Sequence, residues 1–198
     1  MQELKGSLAP KCPFCRHPIP GTKAESDKNV MKRIETDDSV AMSEMGVHHY
    51  HEGDYSGALK YLTKAAELGH IGAHHLLSEL YDKGQGVEKD VKKRLYHLEE
   101  TAIGGHPNAR YNLGCHGGNN GRIERAMKHI IISANLGDDV SIGALKREYT
   151  RGRISKEDFA TALRAHQAST NEKSAEGGGS RSRSTSTEPG LIYFSSTL

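Results

Sequence analysis

The chain has 198 residues, enough for one domain with tails and a buried core. Its 27 basic and 25 acidic residues are mixed along the chain and leave a net charge of +2, so no electrostatic footprint for nucleic acid or a membrane surface stands out. Hydrophobic residues make up only 35%, Trp is absent and the mean hydropathy is -0.66, which excludes a membrane-embedded chain and points to a thin, surface-rich fold or a partly disordered one.

No run approaches 18 apolar residues, and the opening "MQELKGSLAP" has no apolar core of a signal peptide. The expectation is a soluble intracellular protein, cytoplasmic or nuclear, with no membrane contact. The cysteines are Cys12, Cys15 and Cys115, and an odd number without a secretory signal argues against a disulfide framework. No N-x-S/T acceptor occurs, in keeping with that compartment.

The first motif in chain order is "KCPFCRHPIP", residues 11–20. A structural zinc site takes four ligands, and a C-x2-C pair supplies two of them on one tight turn. The segment resembles the last zinc-ligand pair of a RING finger, where C-P-x-C-R followed by proline is a common ending. The resemblance implies Cys12 and Cys15 as the final two metal ligands. It also places Arg16 where many RING ubiquitin ligases help to activate the charged conjugating enzyme. Only eleven residues precede Cys12, and they contain neither Cys nor His, so the site is incomplete. Three readings stay open: a fragment of a longer protein with a full finger, a remnant that binds no metal, or a zinc shared between two chains as a zinc-bridged homodimer.

From residue 39 to 152 the chain repeats itself. "AMSEMGVHHYHEGDYSGALKYLTKAAELGH" (41–70) lies over "ARYNLGCHGGNNGRIERAMKHIIISANLGD" (109–138) without a gap, and residues 73–106 match once an insertion around "GQGVE" is allowed. Ala41, Ala73 and Ala109 share one position, Ala66, Ala102 and Ala134 another, and Gly46, Ser78 and Gly114 a third. A partial fourth unit starts near Ser141, with Leu145 in the Leu slot and Gly152 in the turn. Each unit holds two stretches with apolar residues at three- and four-residue intervals, which predicts helix, turn, helix, turn. In the second stretch of unit one, Tyr55, Ala58, Leu59, Leu62, Ala65, Ala66 and Leu68 form the predicted buried face. Gly69, Gly105 and Gly137 stand at the expected C-caps. A lone helix pair cannot bury its apolar face, so the pattern predicts an all-α fold, an α-solenoid of about three stacked helix-turn-helix repeats.

These units resemble the Sel1-like repeat, a relative of the tetratricopeptide repeat. "YDKGQGVEKD" (81–90) matches the family's turn, "ALKYLTKAAELG" (58–69) its second helix with Tyr61 in the aromatic slot, and "ARYNLG" (109–114) its first helix. His97 and His129 replace the aromatic, Arg94 replaces a small residue, and Gly117 replaces a Tyr; looser packing of units two and three is expected there. "SKEDFATALRAHQAST" (155–170) begins with Ser155 and Asp158 in capping-box spacing and predicts a helix closing the stack. Residues 171–198, rich in Gly, Ser and charge, are expected to be a disordered tail.

Twelve histidines, with "HHYH" at 48–51 and "HH" at 74–75, raise a metal hypothesis. The repeat register offers a structural alternative, since His49 and His75 fall in Tyr slots, and His97 and His129 in the Trp slot. Cys115 beside His116 is the only local nucleophile-base pair, and neighbours on one helix point about 100° apart. The glycine runs at 117–122 and 177–184 do not sit between a strand and a helix, so they read as turn and linker. "RSRSTST" could take phosphate, and the terminal "SSTL" has the spacing PDZ domains capture. The functional expectation is a non-enzymatic adaptor holding a protein or peptide on the concave solenoid face, with no nucleic acid and no catalytic residue. The alternative is a zinc-binding RING-type protein of the ubiquitin pathway, with a partial finger, substrate-binding repeats and zinc as its cofactor.

Overall fold

A computed structural model of the chain describes residues 22–176; Cys12 and Cys15 lie outside the described residues. Among the described residues the regular structure is entirely α-helical and divides into two compact units on either side of His70, residues 22–70 and 71–176. The first unit holds α1 (Lys23–Glu35), α2 (Ser39–Glu52) and α3 (Tyr55–Glu67). The second holds α4 (Ile71–Lys83), α5 (Val91–Ile103), α6 (Pro107–Asn119), α7 (Ile123–Asn135), α8 (Asp139–Thr150) and α9 (Lys156–Glu176). The expected all-α solenoid repeats are thus the pairs α2/α3, α4/α5 and α6/α7, with α8 and α9 forming a further pair.

Short polar side chains start most of these helices. Asp38, Asp54, Asp90 and Asp138 each accept backbone N–H groups of the first turn of α2, α3, α5 and α8. This satisfies donors that have no partner inside the helix. Ser155 and Asp158 form the predicted box at the start of α9, with the Asp158 N–H donating to Ser155 Oγ at 3.0 Å. Gly69, Gly105 and Gly137 each stand one residue beyond the C-cap, with φ of 82°, 83° and 86°, a left-handed backbone that costs a residue with a Cβ atom.

Within each pair, a small residue on the first helix receives a large one from the second. In the first unit Gly46 faces Leu62, and a Cβ on Gly46 would stand 2.6 Å from Leu62 Cγ. In the second unit Gly114 faces Ile130, where a Cβ would stand 2.7 Å from Ile130 Cγ1 and 3.1 Å from the Ala126 carbonyl. Ser78 holds the same place on α4, and its hydroxyl turns back to donate to the His75 carbonyl at 2.6 Å. Leu62, Leu98 and Ile130 are all buried at 2% exposure or less, as are the alanines 41, 73 and 109. Between neighbouring helices of the second unit, Ser133 Oγ donates to the Pro107 carbonyl at 2.8 Å.

Four local features depart from expectation. Leu68, predicted to be buried, is 48% exposed because it is the C-cap of α3 and points past the last turn. α1 was not foreseen, although Thr22 and Glu25 carry N-cap spacing, with the Glu25 N–H donating to Thr22 Oγ1. α9 continues through Glu176, because Lys173 Nζ reaches the free Leu136 carbonyl past the end of α7, at 2.6 Å. At Gly117, where looser packing is expected, α7 lies within contact distance: a Cβ there would meet Ala126 Cβ at 3.5 Å, an ordinary contact that would admit an alanine.

The insertion in the second repeat closes on itself. Gly84 and Gly86 both have φ of 70°, and the Asp90 N–H donates to the Tyr81 carbonyl at 3.2 Å. At the end of α8, the buried Glu148 accepts from Arg151 at 2.7 Å and Arg153 at 3.0 Å, pinning the turn into α9.

The small-residue slot gives a direct test. Gly114→Ala should lower stability by about 1–3 kcal/mol through overpacking against Ile130 and the Ala126 carbonyl. Urea unfolding of the full chain followed by circular dichroism measures it, and an unchanged midpoint would refute the close approach.

Candidate protein-interaction surface

The repeat places an aromatic on the first helix against one on the second. In the first unit the His49 ring stacks on Tyr61, with centroids 5.4 Å apart and planes at 12°. His49 Nδ1 also lies 2.9 Å from Asp54 Oδ2, which ties the ring to the turn. In the second unit Tyr81 stacks on His97 at 5.6 Å and 8°. The third repeat breaks this pattern, because Gly117 occupies the first-helix position and His129 has no ring partner among the described residues.

His97 is further held by His74. Their Nδ1 atoms are 3.0 Å apart, so one must donate and the other accept. Burial chiefly, then the nearby His74 and Lys93, push the His97 imidazole down to about 4. His75 stacks on His106 at 4.8 Å, and burial followed by His75 keeps His106 below the usual imidazole range. The histidines that crowd together in sequence are therefore spread through ring pairs. Among the described residues no three His, Cys, Asp or Glu side chains converge as a metal site would require.

Cys115 and His116 are not brought together as a catalytic pair. Burial pushes the Cys115 thiol above its ordinary value, while His116 sits against the Asn120 side chain. A buried neutral thiol is a poor nucleophile at neutral pH.

A shallow, open pocket of about 200 Å³ lies between α5, α6 and α7 in the second unit. Arg110 and the buried Leu113 of α6 line it, flanked by Glu99 and Ile103 of α5 and by Arg125 and His129 of α7. Helical spacing aligns each wall: Tyr96, Glu99 and Ile103 follow one stripe of α5, and Arg125, His129 and Ile132 one stripe of α7. Ile103 of the lining is 72% exposed, whereas Tyr96, 54% exposed, packs edge-on to His74 and His97. Arg110 Nε and His129 Nδ1 are both buried without a hydrogen-bond partner. Burial first, then Arg110 and Arg125, lowers the His129 imidazole below its ordinary value, while Glu99 acts in the opposite sense. By contrast Arg94, in the slot that holds Ala58 and Ala126 in the other repeats, turns away and pairs with Asp82 at 3.0 Å.

Of the pocket's lining, the repeat register marks Ala102, Leu113 and His129, while the charged residues Glu99, Arg110 and Arg125 carry no mark in the sequence. The signal available was the loss of the aromatic at Gly117, which leaves His129 unstacked. No helix among the described residues is long and apolar enough to cross a membrane.

The depressed imidazoles fix a pH dependence. The folded state holds His97 near 4 against 6.5 for a free ring, so the unfolded chain binds more protons between those values. Stability contributed by the neutral ring is fully present above 6.5 and is lost as pH falls toward 4. His97→Phe keeps a ring on Tyr81 but removes the titrating base. At pH 7 it should cost about 1 kcal/mol for the lost hydrogen bond to His74, and its urea midpoint should fall less between pH 7 and pH 5 than that of the wild type. Equal acid sensitivity of the two proteins would refute the assignment.

The Sel1 repeat model matches residues 39–70, 71–106 and 107–138, which coincide with the three helix pairs. A crystal structure of a Sel1 repeat protein from Oxalobacter formigenes is similar with a TM-score of 0.60 and 24% identity, over 74% of this chain and 63% of that one. A protective antigen present in uropathogenic Escherichia coli strains, which displays an SLR fold, is similar with a TM-score of 0.55 and 17% identity, over 86% of this chain and 39% of that one. The chain therefore spans less than two thirds of the length of either structure, and at these identities the likeness is one of fold. No curated protein sequence matches the chain. With three consecutive repeats matched over about half of its length, each coinciding with one helix pair, the chain belongs to the Sel1 repeat family.

Proposed function

We propose that the chain is a non-enzymatic adaptor that holds a partner protein or peptide on its stacked repeats. The observation that carries this reading is the α5/α6/α7 pocket, where Arg110 and Arg125, which pair with no carboxylate among the described residues, sit beside Leu113 and the exposed Ile103. Family membership supports it, since stacked repeats supply extended binding surfaces. The neutral, buried state of Cys115 supports it from the other side, because the local nucleophile candidate lacks an activating base. A partner on the concave face remains the general expectation for stacked repeats; the pocket adds a docking point marked by this chain's own side chains.

The test is site-specific photocross-linking in cells. A photoreactive residue at Ile103 or Tyr96 should capture one discrete protein, whereas the same group at the exposed Thr161 of α9 should not. The captured protein, once purified, should bind the full chain with 1:1 stoichiometry. Identical cross-linking at all three positions would overturn the reading.

A second reading rests on Cys12 and Cys15, which lie outside the described residues. In it the C-x2-C pair binds zinc as half of a four-cysteine site shared between two copies, or as the end of a RING-type finger in the ubiquitin pathway. Elemental analysis of the full chain should find about half a zinc per chain for the shared site, lost in the Cys12→Ser, Cys15→Ser double variant. Zinc absent from both proteins would leave the adaptor reading alone.

A further inference from the structure

We propose that the pocket between α5, α6 and α7 is a carboxylate-binding site, which takes an acidic side chain of a partner peptide while an aliphatic neighbour of that residue rests on Ile103. The proposal rests on the adaptor reading and names the chemistry of its partner.

Charge is the first argument. Arg110 and Arg125 pair with no carboxylate among the described residues, whereas Arg94 pairs with Asp82, and Arg151 and Arg153 share Glu148. A guanidinium partly withdrawn from water is costly to leave uncompensated, and the planar fork of arginine matches a carboxylate in two-point contact. Arg110 Nε is buried with no acceptor, which makes it a cation set into the wall and not one waving in solvent. His129 adds a second buried nitrogen with no partner on the facing helix.

Size and balance narrow the ligand. At about 200 Å³ the pocket is smaller than the roughly 300–1,000 Å³ typical of cofactor and small-molecule sites, and suits a single side chain. Glu99 lies on the same lining as the two arginines, so with His129 neutral the fixed charges leave one positive charge to be matched. That suits one carboxylate better than a phosphate, which carries about −1.5 to −2 and would be repelled by Glu99. Leu113 forms an apolar part of the lining, and Ile103, 72% exposed on the rim, offers the neighbouring contact.

The experiment is selection of a random heptapeptide phage library on the full-length chain, repeated on Arg110→Met and on Arg125→Gln after circular dichroism has established their fold. The expected result is enrichment of Asp or Glu beside an aliphatic residue. Synthetic selected peptides should bind the variants about ten-fold more weakly or worse, as loss of a charge-assisted contact implies. Arg125 is exposed, so its variant keeps the test usable if Arg110→Met does not fold. Enrichment without an acidic residue, or peptides that bind both folded variants as tightly as the wild type, would overturn the carboxylate site while leaving the adaptor reading intact. Displacement of selected peptides by inorganic phosphate would assign the pocket to phosphate instead. Preferential binding of a synthetic peptide of residues 188–198 would assign it to the chain's own tail. Absence of any enrichment would also sink the proposal, and the cross-linking at Ile103 would then decide separately whether a protein partner exists.

Discussion

Close approach of two helices at a residue without a side chain of any size is the constraint on which this structure depends. Where Gly46 receives Leu62 and Gly114 receives Ile130, there is no room for a methyl group unless the large residue moves. The intervening repeat meets the same constraint with Ser78, whose hydroxyl is turned back onto its own helix. Low overall hydrophobicity is compatible with a core because alanines fill much of it, beside leucines, Ile130, two methionines and Tyr111. Packing at this density offers many weak dispersion contacts for little apolar surface. It also explains the mean hydropathy, since the outer faces of such narrow layers stay in water.

The aromatic slot shows how the same grammar yields different chemistry along the chain. His49 on Tyr61 and Tyr81 on His97 are the same ring pair with the roles exchanged. Where the first-helix member is Gly117, His129 has no ring partner among the described residues and lines the pocket. In the proposed carboxylate site, a packing position of the other repeats would thereby serve recognition. The neighbouring Arg110 and Arg125 share the lining with that ring and lower its imidazole, while Glu99 acts in the opposite sense.

What was legible in the sequence was what recurs. The alanine columns, the small-residue slot and the capping glycines recur at matching intervals, and each is enforced by the same steric requirement in every unit. α1 escaped notice because it belongs to no repeat, although Thr22 and Glu25 marked its start. The end of α9 was misplaced because Lys173 looks like any solvated lysine until the Leu136 carbonyl is seen beside it. The pocket could not be read at all, since Glu99, Arg110 and Arg125 come from three helices and each alone resembles an ordinary charged residue on an outer face. Cys12 and Cys15, the most conspicuous motif by eye, lie outside the described residues.

The self-closed insertion of the second repeat separates loop length from layer spacing. Its two ends, at Tyr81 and Asp90, are already joined by a backbone hydrogen bond, and Asp90 then starts α5 by capping it. Whatever lies between those ends hangs from a fixed frame, so added residues need not change the path of either helix. Such a loop is a natural graft port, where a foreign epitope or a reporter could be carried without re-engineering the layers on either side.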